Sequence, residues 1–312
     1  LTGGRKSVLA GRADEGGRLD LFISTHAAIS RSKAQRLISD GMVLLDGEPA
    51  RKNHNLAAGE EISWEIPAPE PEEIVPEEAE LEIFYEDADI IVVDKPAEMV
   101  MYPGPGHAGG TLLNALLARY PDIAGVGGKG RPGVFHRLDR GTSGLVAVAR
   151  SERAYEQMVE EMRDRQVERV YNALVVGSMA SETGTIDAPM ARSRGNRKKM
   201  AVDRAGGRRA VSRFKVLERF SQDFTLVEVT LETGRTHQIR VHFAHIGHPV
   251  AGDPEYSRGK SGKQLGLERQ FLHARRLSFD HPITEERLTF TSELPQDLRV
   301  GLERLRQSHT GD

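Results

Sequence analysis

The sequence predicts an α+β protein: a mixed, largely antiparallel sheet with flanking helices, preceded by a small α/β unit. Three observations carry this. Apolar runs of strand length alternate irregularly with helical patterns instead of repeating as strand–helix units. Several strands come in hairpin-like pairs. An acidic, proline-containing stretch, residues 67–80, divides the chain in two. The expected parts are a flexible tail over residues 1–16, a compact unit over 17–66, the linker over 67–80 and a large domain over 81–312.

In the small unit, GRLDLFIS opens the chain. Ser30 or Ser32 can cap a helix whose apolar face is Ala34, Leu37 and Ile38, with Gly41 as its stop. Met42 to Leu45 reads as a strand, and Asp46-Gly47 as a tight turn. Arg31, Lys33, Arg36, Arg51 and Lys52 can share one basic face.

In the large domain, Leu81 to Asp94 alternates and then runs apolar, as a strand entering a core. DKPAEMVMYPGPGH is a turn-rich loop, and Thr111 to Tyr120 a helix. HRLDRGTSG, His136 to Gly144, sets Asp139 between Arg137 and Arg140 on a small-residue turn that feeds the strand Leu145 to Ala149. Ser151 caps a helix with Ala154, Met158 and Met162 at four-residue spacing, a core stripe rather than a cofactor box. Val170 to Val176 and Phe224 to Leu231 read as strands, the first carrying Tyr171 on one face with Ala173 and Val175. Gly234-Arg235-Thr236 turns into a helix with Ile239, Phe243 and Ile246 on its apolar face, ended by Gly247.

Composition narrows the chemistry. There is no cysteine among the 312 residues. Disulfides, thiolate zinc sites and cysteine nucleophiles are excluded, and a reducing cytoplasm is expected. The first seventeen residues lack the apolar core of a secretory signal, and no apolar run reaches membrane-span length, so no membrane partner is expected. The net charge of −3 conceals seven acids and no Lys or Arg between Glu70 and Glu82, without which the remainder carries +4. From Arg192 to Arg213 there are nine Lys or Arg and one acid. Such clustering suits a polyanion more than the mean charge suggests.

Gly125 to Gly130 satisfies GxGxxG but follows a helix and precedes Arg131-Pro132-Gly133, so it is a loop and not a dinucleotide fingerprint. His237, His242 and His245 lack the spacing and carboxylate partner of a metal site, and none is expected.

Three segments belong together: HRLDRGTSGL, RVYNALVVG and GRTHQIRVHFAHIGHPVAGD. With DKPAEMVMYPGPGH and FLHARRLSFDHP in the same order, the chain from about residue 17 to 300 resembles the pseudouridine synthases of the RluA family, most closely the RluD-type members. Residues 17–66 resemble the RNA-binding module named after ribosomal small-subunit protein four.

The resemblance implies that Asp139 is the nucleophile, Tyr171 the active-site tyrosine and Arg240 the arginine that pairs with the aspartate. Arg137 matches an arginine that enters the RNA where the target base leaves the stack. His136, Arg140, Thr142, Arg235, His237 and Gln238 would line the substrate. Arg31, Lys33 and Arg36 of the small unit, with Lys198, Lys199, Arg208 and Arg209 of the basic run, would hold the RNA backbone.

These roles suit the reaction. The glycosidic bond of uridine breaks, the ring turns, and it rejoins through C5. No oxidation occurs and no group arrives from outside, so no cofactor or metal is expected. A carboxylate can bond covalently and leave again, and a neighbouring arginine favours its ionised form. Tyr171 can remove or relay a proton, or only stack. The chain departs from the family at Glu98, where glycine is common, at Tyr102, where histidine is common, and at Gly141, where aspartate is frequent.

The expected partner is ribosomal RNA or the pre-ribosomal large subunit, met by a monomer. A transfer-RNA uridine isomerase and a catalytically silent ribosome-assembly factor are the alternatives.

Overall fold

The computed structural model describes residues 5–51, 53–66, 74–104, 106–128, 130–193, 195–196, 199–221, 223–257, 262 and 265–309, with Lys33 described through its backbone alone. Lys52 and Lys198 lie outside the described residues. The chain divides into two units, residues 1–71 and 72–312.

In the first unit, β1 (Lys6–Leu9), β2 (Val43–Leu45), β3 (Glu48–Pro49) and β4 (Glu61–Trp64) form an antiparallel sheet in the order β1-β4-β2-β3. The hairpin between β2 and β3 turns at Asp46 and Gly47, with φ of 47° and 88°. Two successive left-handed residues match the twist of the flanking strands, which Asp-Gly permits. Two helices, α1 (Leu19–His26) and α2 (Arg31–Ser39), bury Leu19, Phe22, Ile23, Ala34, Leu37 and Ile38 against Val43, Ile62 and Trp64. The expected tail is corrected here. Its residues from Lys6 to Leu9 pair with β4, and Ala10 is buried in the core, because the partner strand lies more than fifty residues downstream, beyond local pattern.

The second unit is built on a nine-stranded sheet. Its path runs β5 (Glu82–Glu86), β6 (Ile90–Lys95), β7 (Ser143–Ala149), β14 (Leu272–Asp280), β8 (Glu168–Val176), β13 (Phe224–Leu231), β12 (Val211–Phe220) and β9 (Thr183–Asp187), with β15 (Arg287–Thr291) beside β14. A two-stranded ribbon, β10 (Met190–Arg192) with β11 (Met200–Val202), lies off the sheet. Only β7 and β14 pair in parallel among the described strands of this sheet. Leu81 to Asp94 is thus a hairpin rather than one strand.

The continuous apolar runs of β6 and β7 follow from burial on both faces. Ile91, Val93, Val146 and Val148 face one core, under α3 (Leu112–Arg119). Ile90, Val92, Leu145 and Ala147 face another, under α4 (Glu152–Asp164). Thr111 and Ser151 cap these helices through their hydroxyls, as their positions predict. The linker expected over 67–80 is shorter than that span. Ile74 packs on the core, and the Glu77 amide donates to the Asn114 carbonyl at 3.0 Å. In α5 (Gln238–His245), Ile239 and Phe243 are buried, but Ile246 is 38% exposed beyond the last turn. The C-terminal helix spans Gln296–His309. No helix among the described residues is long and apolar enough to cross a membrane.

Candidate active site

Asp139 sits at the first position of a tight turn. Its carbonyl accepts the Thr142 amide at 3.1 Å, and Gly141 takes φ of 79°. The turn is clamped from two sides. The Gly141 amide donates to the Ala97 carbonyl at 2.8 Å. From the segment before β14, Arg269 donates to the Gly141 carbonyl at 2.9 Å, and Gln270 to the Arg140 carbonyl at 2.7 Å and the Thr142 hydroxyl at 3.2 Å. A Cβ on residue 141 would stand 2.6 Å from the Gln270 carboxamide, and the left-handed φ itself favours glycine there.

The Asp139 carboxylate opens onto a cavity of about 240 Å³. Val134, Phe135, Met162, Leu231, Ile239 and Leu272 supply apolar wall, and Tyr171 stands among them on β8. Met162 is therefore cavity wall as well as core flank. Burial first, with Asp139 adding to it against Arg169, pushes the Tyr171 phenol up to about 12, so it is protonated at neutral pH.

Arg240 reaches Asp139 at 3.8 Å, but its main partner is different. Its Nε and Nη2 form a fork on Asp253, at 2.7 and 2.9 Å, and Glu255 lies at 3.7 Å. Burial alone would lower the arginine's pKa; the bonds and charge of Asp253, then Asp139 and Glu255, outweigh it and raise it. The Tyr256 ring covers the guanidinium, 5.0 Å away, and the Tyr256 hydroxyl meets His237 Nδ1 at 2.8 Å. His237, left-handed at φ 58°, is pushed down by burial against the pull of Asp139.

The remaining residues expected at the site divide. Arg137 lines the cavity and bonds the Tyr102 hydroxyl with its guanidinium 5.2 Å from the ring. Arg140 meets His107 Nε2 at 3.2 Å. Arg235 lines the cavity, its Nε bonded to the Arg209 carbonyl at 3.1 Å. Gln238 lines the cavity with its carboxamide already engaged: the oxygen accepts from Thr233 and the Arg235 amide, and the nitrogen donates to Val211 and Ser212, so it braces the loop. Lys199 donates to the Glu255 carbonyl and is half-buried beside Tyr256. Arg208 and Arg209 are exposed, with Arg209 3.4 Å from Glu232. In the first unit Arg36 is exposed. Arg31 is tied to buried Asp20 at 2.9 Å, where Arg18 chiefly, with Gln35 and Arg31, holds that carboxyl well below the usual range against the cost of burial.

Sequence reasoning missed four groups. Asp253 ends the third motif but carries no local signal of its role. Arg169 lies in the second motif, two residues before Tyr171. Gln270 and Arg269 precede the FLHARR segment. Lys95, fully buried, donates to the Pro96 and Met99 carbonyls at 2.7 Å; burial, aided by Arg269, lowers it to about 7. Among the described residues no group of three or more His, Asp or Glu side chains is arranged to hold a metal ion.

The site thus presents a carboxylate beside an anchored guanidinium, a protonated phenol and a cavity the size of one ring, the arrangement of an enzyme active site. Comparison with known proteins supplies the family. Residues 89–245 match RNA pseudouridylate synthase, and residues 17–62 match the S4 domain. The chain is 43% identical to "Uncharacterized RNA pseudouridine synthase YlyB" of Bacillus subtilis, over 96% of this chain and 98% of that one. It is 44% identical to "Ribosomal large subunit pseudouridine synthase D" of Pseudomonas aeruginosa, over 89% and 88%. Human RNA pseudouridylate synthase domain containing 1 shares the fold at a TM-score of 0.57 and 25% identity, over 75% of this chain and 96% of that one. The chain belongs to the RNA pseudouridine synthases. Within them it is an RluA-family, RluD-type member with an N-terminal S4 domain.

Proposed function

We propose that this enzyme isomerises uridines of large-subunit ribosomal RNA, in the cytoplasm, with Asp139 as nucleophile. The observation that carries the site is Asp139 opening onto a ring-sized cavity 3.8 Å from a guanidinium that Asp253 holds in place. The substrate class is supported by the relatives named for the ribosomal large subunit.

In this reading the uridine leaves its stack at a cost of about a few kcal/mol. Arg137, released from Tyr102, fills the gap and stacks on neighbouring bases. Arg240 keeps the Asp139 carboxylate ionised and aimed, and Tyr171 lies against the ring. His136, Arg140, Thr142, Arg235 and His237 shape the surroundings. Arg208, Arg209 and Arg36 meet phosphates. Lys33 and Lys198, outside the described side chains, complete that basic set.

The test is tritium release from ribosomal RNA labelled at C5 of uridine, with Asp139→Asn in parallel and transfer RNA as second substrate. Release from ribosomal RNA by wild type and none by the variant is expected. Release from transfer RNA alone overturns the substrate, and release by Asp139→Asn overturns the nucleophile.

A further inference from the structure

Two buried side-chain donors in the cavity have no partner among the described residues. Arg169 is 5% exposed and lines it, yet its side chain makes no hydrogen bond or ion pair among the described residues, and its Nε–H is buried unsatisfied. His136, 7% exposed, also lines it. The Ala147 amide donates to its Nε2 at 2.9 Å, so the ring proton sits on Nδ1, and that N–H finds no acceptor. Burial first and the Arg169 charge second push His136 down to about 3, so the ring is neutral at physiological pH. An uncompensated buried cation and an unpaired buried N–H are both costly. Their retention on one cavity wall points to an acceptor that arrives with the ligand.

We propose that Arg169 and His136 form a subsite for the carbonyl oxygens of the target uracil, holding the negative charge that the ring acquires when its bond to the ribose breaks. The inference rests on the reading that uridine enters this cavity.

Three observations favour the ring over a phosphate. Arg169 is two residues before Tyr171 on β8, so both side chains project from the same face of the sheet, on the side where the base would lie. A cavity of about 150 Å³ holds benzene, so about 240 Å³ suits one six-membered ring with its oxygens. A phosphodiester is tied to the RNA on both sides and stays at the mouth, where exposed Arg131 and Arg137 stand. Gly234 lets its loop close on the guanidinium, because a Cβ there would lie 2.6 Å from Arg169 Nη1.

The chemistry balances. The N1–C1′ bond breaks as an Asp139 oxygen bonds to C1′, and the electron pair of the broken bond leaves with the ring, as an anion spread over N1, O2 and O4. The ring turns, C5 bonds to C1′ and releases the Asp139 carboxylate, the C5 proton passes to solvent, and N1 takes up a proton. The product is an isomer of the substrate. Donors aimed where charge develops act on the rate more than on ground-state binding.

The experiment compares wild type, Asp139→Asn, Arg169→Met and Arg169→Lys on a ribosomal RNA fragment carrying uridine or 5-fluorouridine at the target. RNA affinity and the single-turnover rate of glycosidic cleavage are read, the latter by nuclease digestion and chromatography. Arg169→Met is expected to slow cleavage of uridine about 100-fold with affinity near wild type. Arg169→Lys, which keeps the charge and most of the packing, recovers part of the rate. Fluorine stabilises the ring anion, so 5-fluorouridine narrows the gap between wild type and Arg169→Met by about tenfold. Lost affinity with a normal rate at saturation overturns the proposal in favour of a phosphate contact. An unchanged rate, or a loss that neither lysine nor fluorine relieves, overturns it in favour of packing. A fully active Asp139→Asn defeats the reading of the cavity itself, whereas an inactive Asp139→Asn beside a normal Arg169→Met defeats this inference alone.

Discussion

Arg240 stands beside Asp139 with Asp253, Glu255 and Asp139 around it, while Arg169, on the wall of the cavity that Asp139 opens into, meets no acid among the described residues. Both are almost wholly buried. The first charge is compensated inside the protein, so its position is fixed before any ligand arrives. The second is compensated by nothing the described residues supply, so its energy depends on what enters. In the proposed reading the contrast separates two tasks: one guanidinium would hold the carboxylate, and the other would meet charge on the ring.

Breaking the compensated side should have the largest effect. Asp253→Asn removes one charge of a buried, forked pair. A loss of about 3–5 kcal/mol in unfolding free energy is expected, measured by denaturant titration. In the folded fraction, single-turnover isomerisation should fall about 100-fold with RNA affinity near wild type. Full turnover in this variant would show that Arg240 needs no anchor, and the contrast with Arg169 would lose its meaning.

The sequence made one half of this contrast legible and hid the other. Asp139, Tyr171 and Arg240 stand in the short motifs that carry the family resemblance, and it is the resemblance that singles them out. Asp253 does not, because its pairing with Arg240 depends on how thirteen residues of helix and loop fold back. Gln238 sat in a motif and looked available; its four bonds go to Val211, Ser212, Thr233 and Arg235, two of them in a strand more than twenty residues upstream. Arg169 looked like any basic residue at the start of a strand, and only the depth of β8 in the sheet makes it a buried cation. The fold was clearer than the site because apolar runs report burial directly, as in β6 and β7, whereas satisfaction of a polar atom is a nonlocal property. The β1 strand escaped notice for the same reason: four residues with little pattern acquire order from β4.

The uncompensated side can be sharpened by pH. His136 is held near 3 in the folded protein against an ordinary value of about 6.5. Its folded value is lowered, so the unfolded chain binds the extra proton first. The contribution to stability is full above 6.5 and is lost as pH falls toward 3, at roughly 1.4 kcal/mol per unit. Between pH 6.5 and 5 wild type should therefore lose about 2 kcal/mol more than His136→Gln, read as the difference between their unfolding free energies. Parallel curves for the two proteins would mean that His136 titrates in the folded protein as it does in the unfolded chain, and the cavity wall would no longer hold a buried neutral imidazole.

Arg137 offers an intermediate case and the smallest expected effect. Its guanidinium rests on a neutral partner, the Tyr102 hydroxyl and ring. Such a partner holds the side chain without cancelling its charge, which suits a group that must leave when RNA arrives. Tyr102→Phe keeps the ring and removes the hydroxyl, so the bond broken on binding is gone. RNA affinity should tighten about threefold, close to 0.6 kcal/mol, with the rate at saturation unchanged. Weaker binding would mean that the phenol itself touches RNA, and Arg137 would then join the compensated arginines, with Tyr102 as a fixed part of its site.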